Sequence, residues 1–298
     1  MNVLITGACG FVGRHLMKEL AAAGHTLRLA DACLPENATM FAGKDGRTAA
    51  PLETDWPFVQ VEITDLPAMQ AACEGMDAVV HLAAIPTGYA KEGKETMQTN
   101  VVGTYVVHDA ARLAGAERVF CASSINAFGT FFWRLSGKPS PYTTLPIDET
   151  FPAVPEDPYS LSKRCNEETS IAFHRAYGLT TAAFRFAGVW STKRYEEFRQ
   201  DVKPTQAWSD LLYQWVHVLD VVRGIRLALE CPTLPGSGVY TLAAADTCCP
   251  EPTMELLQRF RPGLAASVTT PLPGRTGLLS IARAQAAFGY APRFRLGD

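Results

Sequence analysis

The feature that most limits the possible folds of this chain is its glycine-rich start. Residues 5–16 read ITGACGFVGRHL and include Gly7, Gly10 and Gly13. The apolar run MNVLI predicts a short buried strand, and FVGRHLMKELAAAG predicts a helix that begins inside the glycine run. A helix N-terminus carries free backbone N–H groups and a positive dipole end, and a turn without Cβ atoms lets a pyrophosphate approach them. The segment therefore predicts a site for a phosphate-bearing dinucleotide.

Strand-like runs recur as far as residue 186, with helix-like segments between most of them. Such alternation indicates a parallel sheet with helices on both faces, because each parallel connection requires a crossover. We therefore expect an α/β fold, a Rossmann-type doubly wound parallel sheet. The predicted strands are MNVLI at residue 1, TLRLAD at 26, FVQVEI at 58, AVVHLAA at 78, RVFCAS at 118 and TTAAFRF at 180.

The pattern changes near residue 186, beyond which the regular alternation of strands and helices is not apparent. This change predicts a dinucleotide-binding domain over residues 1–185 and a small C-terminal lobe over residues 186–298 that caps the substrate. The segment WVHVLDVVRGIRLALE, at about residues 215–230, is long and periodic enough to be a helix. We expect that helix to pack back on the first domain.

Composition excludes several classes of partner. The 298 residues carry a formal net charge of −3, which does not suit binding to nucleic acid or to an anionic membrane. No targeting pattern precedes the first strand and no apolar run approaches about 18 residues, so we expect a cytoplasmic protein without a membrane partner. The eight cysteines form no CxxC pair and the six histidines show no i, i+4 ligand pattern, so we expect reduced thiols and no metal.

An acidic residue follows the glycine run at the distance typical of a dinucleotide site. Asp31 ends the second predicted strand, in RLADA, about twenty residues after the glycines. A carboxylate at this position accepts hydrogen bonds from the adenosine ribose hydroxyls and repels a 2′-phosphate. The sequence therefore predicts NAD rather than NADP as the cofactor.

Four motifs in order resemble one enzyme family. TGACGFVG at residue 6, HLAA at 81, CASSINAFG at 121 and YSLSK at 159–163 are similar to the extended short-chain dehydrogenase/reductases, the NAD-dependent epimerase/dehydratase family. TNVVGTYVV, FRFAGVW, VHVLDVV and GVYTL also follow the order of that family, so the resemblance covers nearly the whole chain. Four ordered motifs are far more specific than a glycine run alone.

The resemblance implies where NAD contacts this chain. The three glycines would line the pyrophosphate, Asp31 would hold the adenosine ribose and Asp65 would lie beside the adenine. Lys163 would hold the nicotinamide ribose. The expected cofactor-binding residues are Gly7, Gly10, Phe11, Val12, Gly13, Asp31, Asp65, Leu82, Ala83, Ala84, Asn100, Tyr159 and Lys163.

The catalytic chemistry can be argued from Tyr159 and Lys163. They are four residues apart, so both side chains project from one face if YSLSK opens a helix. A phenol with a pKa near 10 is a poor base at neutral pH, but an adjacent ammonium and an oxidised nicotinamide favour the phenolate. Tyr159 is therefore the predicted general acid/base, taking a proton from a substrate hydroxyl during hydride transfer.

A serine hydroxyl from SSINAFG completes the predicted site by bonding the substrate oxygen. Alignment on the glycine that ends the motif selects Ser124, with Ser123 as the neighbouring alternative. Arginine and lysine side chains in the later sequence are candidates for binding a carboxylate or phosphate. The candidate substrate residues are Ser123, Asn126, Arg185 and Trp190, with Lys193, Arg194 and Arg199 as further cationic candidates, although a charge cluster such as KRYEEFR is more often a solvated face.

Several residues admit a structural role as readily as a functional one. Asn100 could cap a helix or could position the helix beside the active site. Asp220 is expected to fix the C-terminal lobe rather than to touch substrate. Trp215 and His217 could line a pocket, but a core position is the favoured interpretation. Residues 131–150 form an insertion after Ser124 that could shape the pocket.

Two features favour a small substrate without a nucleotide handle. Ala187 stands where many sugar-nucleotide members of the family have an asparagine that contacts the diphosphate, and the C-terminal lobe is short. We therefore expect an NAD-dependent oxidoreductase that interconverts a secondary alcohol and a ketone, or a lactol and a lactone. The substrate would be a small sugar, a sugar acid or a similar polar molecule, and uronate dehydrogenases are among the members closest in pattern.

The sequence is also compatible with other functions. The main alternative is an epimerase, acting on a sugar or a nucleotide-linked sugar, that uses NAD transiently. An enzyme similar to short-chain L-threonine dehydrogenase and a non-catalytic NAD-binding protein are minor alternatives. Dehydration is disfavoured because Ile125 and Asn126 stand where many dehydratases have an Asp-Glu pair. Family members commonly pair through two long helices, here after Asn100 and around Tyr159, so we expect a homodimer.

Overall fold

The computed structural model of this chain describes residues 1–41, 47–86, 93–129 and 134–297. Its strands are β1 Asn2–Thr6, β2 Thr26–Asp31, β3 Thr39–Phe41, β4 Arg47–Ala49, β5 Phe58–Gln60, β6 Ala78–His81, β7 Arg118–Ser124, β8 Thr180–Phe186, β9 Val189–Trp190, β10 Val216–His217 and β11 Ser237–Leu242. Its helices are α1 Phe11–Ala22, α2 Leu66–Cys73, α3 Gly93–Met97, α4 Gly103–Leu113, α5 Pro158–Tyr177, α6 Thr192–Gln200, α7 Val218–Glu230, α8 Thr253–Phe260, α9 Pro262–Ala265 and α10 Ala282–Phe288. Short 3-10 helices cover Pro35–Asn37 and Ile125–Phe128, and a π-helical turn covers Gln98–Val102.

Seven strands form one sheet in the order β5–β2–β1–β6–β7–β8–β11. β1 pairs in parallel with β2 and β6, β2 with β5, and β6 with β7. Backbone hydrogen bonds join Thr181 to Gly236 and Ala187 to Leu242, an equal step along β8 and β11, so these strands are parallel too. The strand order reverses at β1, and ligands of such sheets bind at the carboxyl ends beside this reversal. The predicted Rossmann-type doubly wound sheet is confirmed.

The C-terminal part departs from its prediction in one respect. All six predicted strands are present, but the alternation does not stop near residue 186, because α7 leads into β11 and supplies the seventh strand of the sheet. The sequence of β11, SGVYTL, contains the β-branched and aromatic residues that suit a buried strand. The preceding CPTLPGSG obscured this signal, since proline and glycine are typical of loops.

The first of two compact units comprises residues 1–123, 162–183 and 234–238. Its core is built mainly of small and medium apolar side chains from the faces of α2 and α4 and from the sheet strands. The spacing of those residues explains the local structure, because α4 buries Val107, Ala110 and Ala111 along one stripe. This unit contains the glycine turn, Asp31 and Lys163.

The second unit comprises residues 124–161, 184–233 and 239–298. An aromatic cluster lies in its interior, formed around Trp190, Tyr195 and Trp215. The predicted functional division into residues 1–185 and 186–298, and the packing of residues 215–230 on the first domain, stay predictions. Among the described residues, no helix combines the length and apolarity needed to cross a bilayer.

Candidate active site

The glycine turn between β1 and α1 is closely packed. Gly7 has φ +70°, a left-handed conformation, and a Cβ there would lie 2.6 Å from the Ala83 backbone nitrogen. A Cβ on Gly13 would lie 2.3 Å from the Gly7 carbonyl oxygen. Gly10 precedes the first residue of α1 and offers no side-chain cap to the free N–H groups of that helix. The turn therefore has the bare backbone and the helix N-terminus that an anionic group needs.

Asp31 lies at the carboxyl end of β2 and fixes the turn from the side. Its Oδ2 accepts a hydrogen bond from the Cys9 backbone N–H at 3.0 Å. The thiols of Cys9 and Cys33 flank the same carboxylate. Burial and the Asp31 charge raise the pKa of Cys9 to about 12, against the effect of Arg14, and the same two causes raise the pKa of Cys33. Both cysteines are therefore protonated thiols at neutral pH.

The predicted adenine-side residue has a clear structural task. Asp65 is the N-cap of α2, and its carboxylate accepts a hydrogen bond from the Ala68 backbone N–H at 3.1 Å. The predicted residues after β6 lie near β1, because Leu82 N–H donates to the Thr6 carbonyl oxygen at 3.1 Å. The contacts of Asp65 and of Leu82–Ala84 with a cofactor stay predictions.

A buried histidine ties the same strand ends to α4. His81 Nδ1 lies 2.7 Å from Thr6 Oγ1, and its Nε2 lies 3.1 Å from Thr104 Oγ1. Burial lowers the pKa of His81 well below its usual value, so the ring is neutral. Sequence reasoning missed this role, although HLAA was part of the motif set.

Asn100 positions backbone and does not cap a helix. It is buried in the π-helical turn before α4, so the helix-cap alternative is wrong. Its Oδ1 accepts from the Ile85 backbone N–H at 2.8 Å, and its Nδ2 donates to the Ile85 carbonyl oxygen at 3.1 Å and to Ser162 Oγ at 3.0 Å. The side chain thereby links the segment after β6 to α5.

The two serines at the end of β7 have different partners. Ser123 Oγ donates to Glu167 Oε1 at 2.7 Å, and both side chains are buried. Ser124 instead caps the short 3-10 helix, where its Oγ accepts from the Asn126 backbone N–H at 3.1 Å. The Ser123 hydroxyl is thus engaged in core packing, which supports Ser124 as the residue of the predicted site.

Tyr159 lies in the first turn of α5. Asp157 accepts a hydrogen bond from the Ser160 N–H at 2.9 Å, and Pro158 takes the first helical position, where no N–H is needed. Burial raises the pKa of Tyr159 to about 12, against the lowering effect of its hydrogen bond with Ser124. The expected shift toward phenolate is absent in the protein alone, because desolvation of the anion dominates. Tyr159 is therefore a neutral phenol hydrogen-bonded to Ser124.

Lys163 follows Tyr159 by about one turn of α5, so the two side chains leave the same face of the helix. Its Nζ donates to the Ala122 carbonyl oxygen at 3.0 Å. Burial lowers the pKa of Lys163 to about 8, while Cys121 and Glu167 oppose the shift. Lys163 is still a cation at neutral pH.

The predicted substrate residues have different environments in the second unit. Asn126 is buried, and its Oδ1 has no hydrogen-bond partner among the residues that the structure describes. Arg185 is buried with its guanidinium 4.2 Å from the centroid of the Phe128 ring. Trp190 instead packs in the aromatic cluster, 5.2 Å from Trp215 between ring centroids.

The cationic candidates on α6 mostly contact neighbouring side chains at the helix surface. Lys193 is exposed and lies 3.7 Å from Glu197, and Arg194 stacks over the Trp190 ring at 4.5 Å. Arg199 Nη1 donates to the Tyr195 hydroxyl at 3.3 Å. Such contacts fit a solvated helix whose long side chains lie on aromatic rings.

Trp215, His217 and Asp220 are structural. Trp215 and His217 are fully buried, and His217 caps α7 and stacks on Phe294 with ring centroids 3.6 Å apart. Asp220 accepts hydrogen bonds from the backbone N–H groups of Arg293 and Phe294 at 2.8–3.0 Å, so it holds the C-terminal segment in place. Of the predicted insertion, residues 130–133 lie outside the described residues.

A model of the NAD dependent epimerase/dehydratase family matches residues 3–243. This chain belongs to that family. The family assignment rests on more than four fifths of the chain, and it agrees with the resemblance carried by the four sequence motifs.

Individual family members are similar along most of their length. The uronate dehydrogenase of Pseudomonas putida is 30% identical over 239 residues, which is 80% of this chain and 75% of that protein. The dTDP-glucose 4,6-dehydratase of Streptomyces antibioticus is 27% identical over 312 residues, covering 98% and 88%. The solved UDP-glucose 4-epimerase of Thermotoga maritima shares the fold, with a TM-score of 0.70 and 22% identity over 99% of this chain and 95% of that one.

Because the chain belongs to the NAD-dependent epimerase/dehydratase family, it is an enzyme with NAD as its cofactor. The residues present suit that cofactor, because a Cβ at any of the three glycines would lie within about 3.1 Å of backbone and the N-terminus of α1 has no side-chain cap. Sequence reasoning missed the hydrogen-bonding roles of Asp157 and Glu167. The N-cap pattern DPYS could have revealed Asp157, whereas no local signal marks Glu167 as the partner of Ser123.

Proposed function

We propose that this enzyme oxidises a free sugar acid, or a similarly small polar sugar, with net reduction of NAD. The reaction converts a secondary alcohol to a ketone or a lactol to a lactone. The observation that carries the proposal is the hydrogen bond between the Tyr159 phenol and the Ser124 hydroxyl at the start of α5. Two adjacent hydroxyls of this kind can bind one substrate oxygen and move its proton.

Each catalytic residue has a distinct task in this mechanism. Ser124 binds the substrate oxygen and orients it towards Tyr159, which takes the hydroxyl proton in oxidation and returns it in reduction. The glycine turn and Asp31 would hold NAD, which would supply the hydride acceptor. Lys163 is a buried cation one turn further along α5, and its charge favours the phenolate form that oxidation requires.

The proposed substrate class rests on the second unit. Ala187 has only a methyl side chain, which cannot hydrogen-bond a diphosphate, and its backbone N–H donates to the Leu242 carbonyl oxygen at 3.1 Å. Arg185 supplies a buried positive charge suited to a carboxylate, and Asn126 Oδ1 supplies an acceptor for a sugar hydroxyl. The 30% identity to uronate dehydrogenase supports an acid as the substrate.

Dehydration is the function that the catalytic segment supports least. The relative covering 98% of this chain is a dTDP-glucose 4,6-dehydratase. A dehydratase needs an acid/base pair beside the serine, but Ile125 and Asn126 follow Ser124 here, and neither can exchange a proton. We therefore favour net oxidation.

The test is NADH absorbance across uronic acids, aldoses, hydroxy acids, threonine and UDP- or dTDP-sugars, with product analysis by NMR. We expect NADH to accumulate stoichiometrically with a uronic acid. An isomerised nucleotide sugar without NADH would make the enzyme an epimerase and contradict the proposal. A comparison of glucuronate with glucose isolates the contribution of the substrate carboxylate. Arg185→Met removes the positive charge of Arg185, and Arg185→Lys, which keeps that charge, is the matched control.

We also propose a cytoplasmic homodimer with a role in sugar metabolism. All eight cysteines are free thiols, which supports a reducing compartment. Helices α4 and α5 bear exposed Tyr105 and Tyr177, and a groove of about 350 Å³ is lined by Tyr105 of α4 and by Arg164, Glu168 and Phe173 of α5. Light scattering at micromolar concentration should give a dimer mass for the wild type and a monomer mass for Tyr105→Asp. A monomeric wild type would contradict the proposal.

A further inference from the structure

Three side chains from two nearby segments cluster at the carboxyl end of β2. Cys9 lies in the glycine turn, Asp31 ends β2, and Cys33 follows two residues later. Their sulfur and carboxylate oxygen atoms all lie within 4.8 Å of one another. Cys9 is buried, whereas Asp31 and Cys33 are half-buried. These are two soft ligands and one hard ligand, the donor types found together at zinc sites.

The distances are close to those of a tetrahedral metal site. Zinc–sulfur bonds of about 2.3 Å and zinc–oxygen bonds of about 2.0–2.2 Å place ligand atoms roughly 3.5–3.8 Å apart. Cys33 Sγ lies 3.7 Å from Asp31 Oδ1. All three ligand atoms lie within 4.8 Å of one another, so a side-chain adjustment of up to about 1 Å would bring them to these separations.

A hydrogen bond to the backbone fixes two of the three ligand residues, Cys9 and Asp31, relative to each other. The hydrogen bond from the Cys9 N–H to Asp31 Oδ2 fixes the glycine turn relative to β2. The nearby Arg14 guanidinium donates to the carbonyl oxygens of Cys9, Ala50 and Pro51, so hydrogen bonds direct it to backbone groups. Such preorganisation lowers the entropic cost of binding an ion.

We propose that Cys9, Asp31 and Cys33 form a binding site for a thiophilic divalent cation, Zn²⁺, whose occupancy excludes NAD. Three protein ligands leave the fourth tetrahedral position to water. Two thiolates select zinc over magnesium or calcium, which prefer oxygen ligands. Binding displaces the two thiol protons to solvent, and no bond is oxidised or reduced.

The exclusion of NAD rests on the role proposed for Asp31. A carboxylate that ligates zinc cannot also accept hydrogen bonds from the adenosine ribose hydroxyls. Zinc and NAD should therefore compete, with each ligand weakening the apparent affinity of the other by the same factor.

The first experiment titrates the NAD-free protein with Co²⁺ and Zn²⁺ in the presence of a non-thiol reductant. We expect one Co²⁺ per chain with a thiolate charge-transfer band and tetrahedral visible bands, and we expect Zn²⁺ to displace it. Cys33→Ser should weaken binding by roughly 10–100-fold. Cys248→Ser is the matched control, because Cys248 and Cys249 form another thiol pair. Unchanged binding in Cys33→Ser, or bands lost only in Cys248→Ser, would overturn the site.

The second experiment repeats the Zn²⁺ titration at increasing NAD concentration. The apparent zinc dissociation constant should rise in proportion to NAD in the wild type, and in Cys33→Ser roughly 10–100-fold more zinc should be needed to weaken NAD binding. Cys33-dependent zinc binding that NAD does not alter would overturn the exclusion and the proposed ribose contact of Asp31, while the metal site would stand. Neither titration requires substrate turnover, so failure of the proposed oxidation would be a separate result.

Discussion

The two compact units are stabilised in different ways. The first unit is built from parallel strands and helices whose small apolar side chains recur at regular spacing, as on α4. The second unit contains longer irregular segments, and carboxylates bind backbone N–H groups far away in sequence. Asp220 accepts from Arg293 and Phe294, Asp246 accepts from Leu296 at 2.7 Å, and Glu149 accepts from Thr241 at 2.6 Å.

This contrast separates the tasks proposed for the two units. Regular structure fixes the glycine turn and Asp31, which suits binding of a cofactor common to the family. Irregular segments fixed by buried carboxylates can differ in sequence without loss of the sheet, which suits a substrate pocket. Substitutions in the first unit should therefore alter cofactor binding, whereas substitutions in the second should alter turnover or its own stability.

The largest expected effect is on turnover and comes from the second unit. Tyr159→Phe removes the proposed general acid/base and should lower kcat by roughly 10²-fold or more. NAD affinity, followed by tryptophan fluorescence, should remain within about threefold of the wild type, since ~0.6 kcal/mol is small against a cofactor site. Tyr290→Phe removes another buried hydroxyl, which bonds the Ala243 carbonyl oxygen, and serves as the matched control. Near-normal turnover of Tyr159→Phe would remove Tyr159 from the mechanism.

A stability effect should follow from the carboxylates that bind backbone. Asp220→Ala leaves the N–H groups of Arg293 and Phe294 without their acceptor in a buried environment, at a cost of about 2 kcal/mol or more. Glu230→Ala on the same helix removes an ion pair with Arg226 near the surface and should cost less than about 0.5 kcal/mol. Urea unfolding measures both. Equal costs for the two variants would argue against Asp220 as a structural clamp.

The same contrast explains what the sequence could predict. Period-2 and period-3.6 patterns, glycines and capping residues are local signals, and they predict six strands of the central sheet, α1, α4 and the start of α5. The Ser123–Glu167 and Asp220–Arg293 bonds join residues 44 and 73 positions apart, and no local pattern encodes such partners. Burial is the main cause of the raised pKa of Tyr159, and burial is a property of tertiary packing. The sequence alone therefore predicts a lowered pKa instead.

Cofactor selectivity tests the first unit. Asp31 should give NAD more than tenfold tighter binding than NADP, about 1.4 kcal/mol or more, because its charge repels a 2′-phosphate. Asp31→Ser should reduce the ratio of NAD affinity to NADP affinity, mainly by weakening NAD binding. Glu53→Gln removes one charge from an exposed position of the same unit and should leave the ratio unchanged. Equal NAD and NADP affinity in the wild type would show that Asp31 does not face the ribose.

The smallest expected effect is an acid sensitivity of the first unit. His108 is buried, its Nδ1 donates to the Thr104 carbonyl oxygen at 2.8 Å, and burial lowers its pKa to about 4. Between pH 6.5 and 4 the unfolded chain binds more protons at this residue than the folded chain, so stability falls as pH falls through that window. At pH 5.5 the loss from His108 should be about 1 kcal/mol. Burial shifts the pKa of His81 in the same direction, so its contribution has the same sign.

Urea unfolding at pH 7.5 and pH 5.5 measures this loss directly. His108→Asn keeps a donor for Thr104 but does not titrate, so it should reduce the stability difference between the two pH values by about 1 kcal/mol. His15→Asn, on α1 with a half-buried ring, is the control for loss of a histidine. If His108→Asn retained the full pH dependence of the wild type, acid sensitivity would have to arise elsewhere.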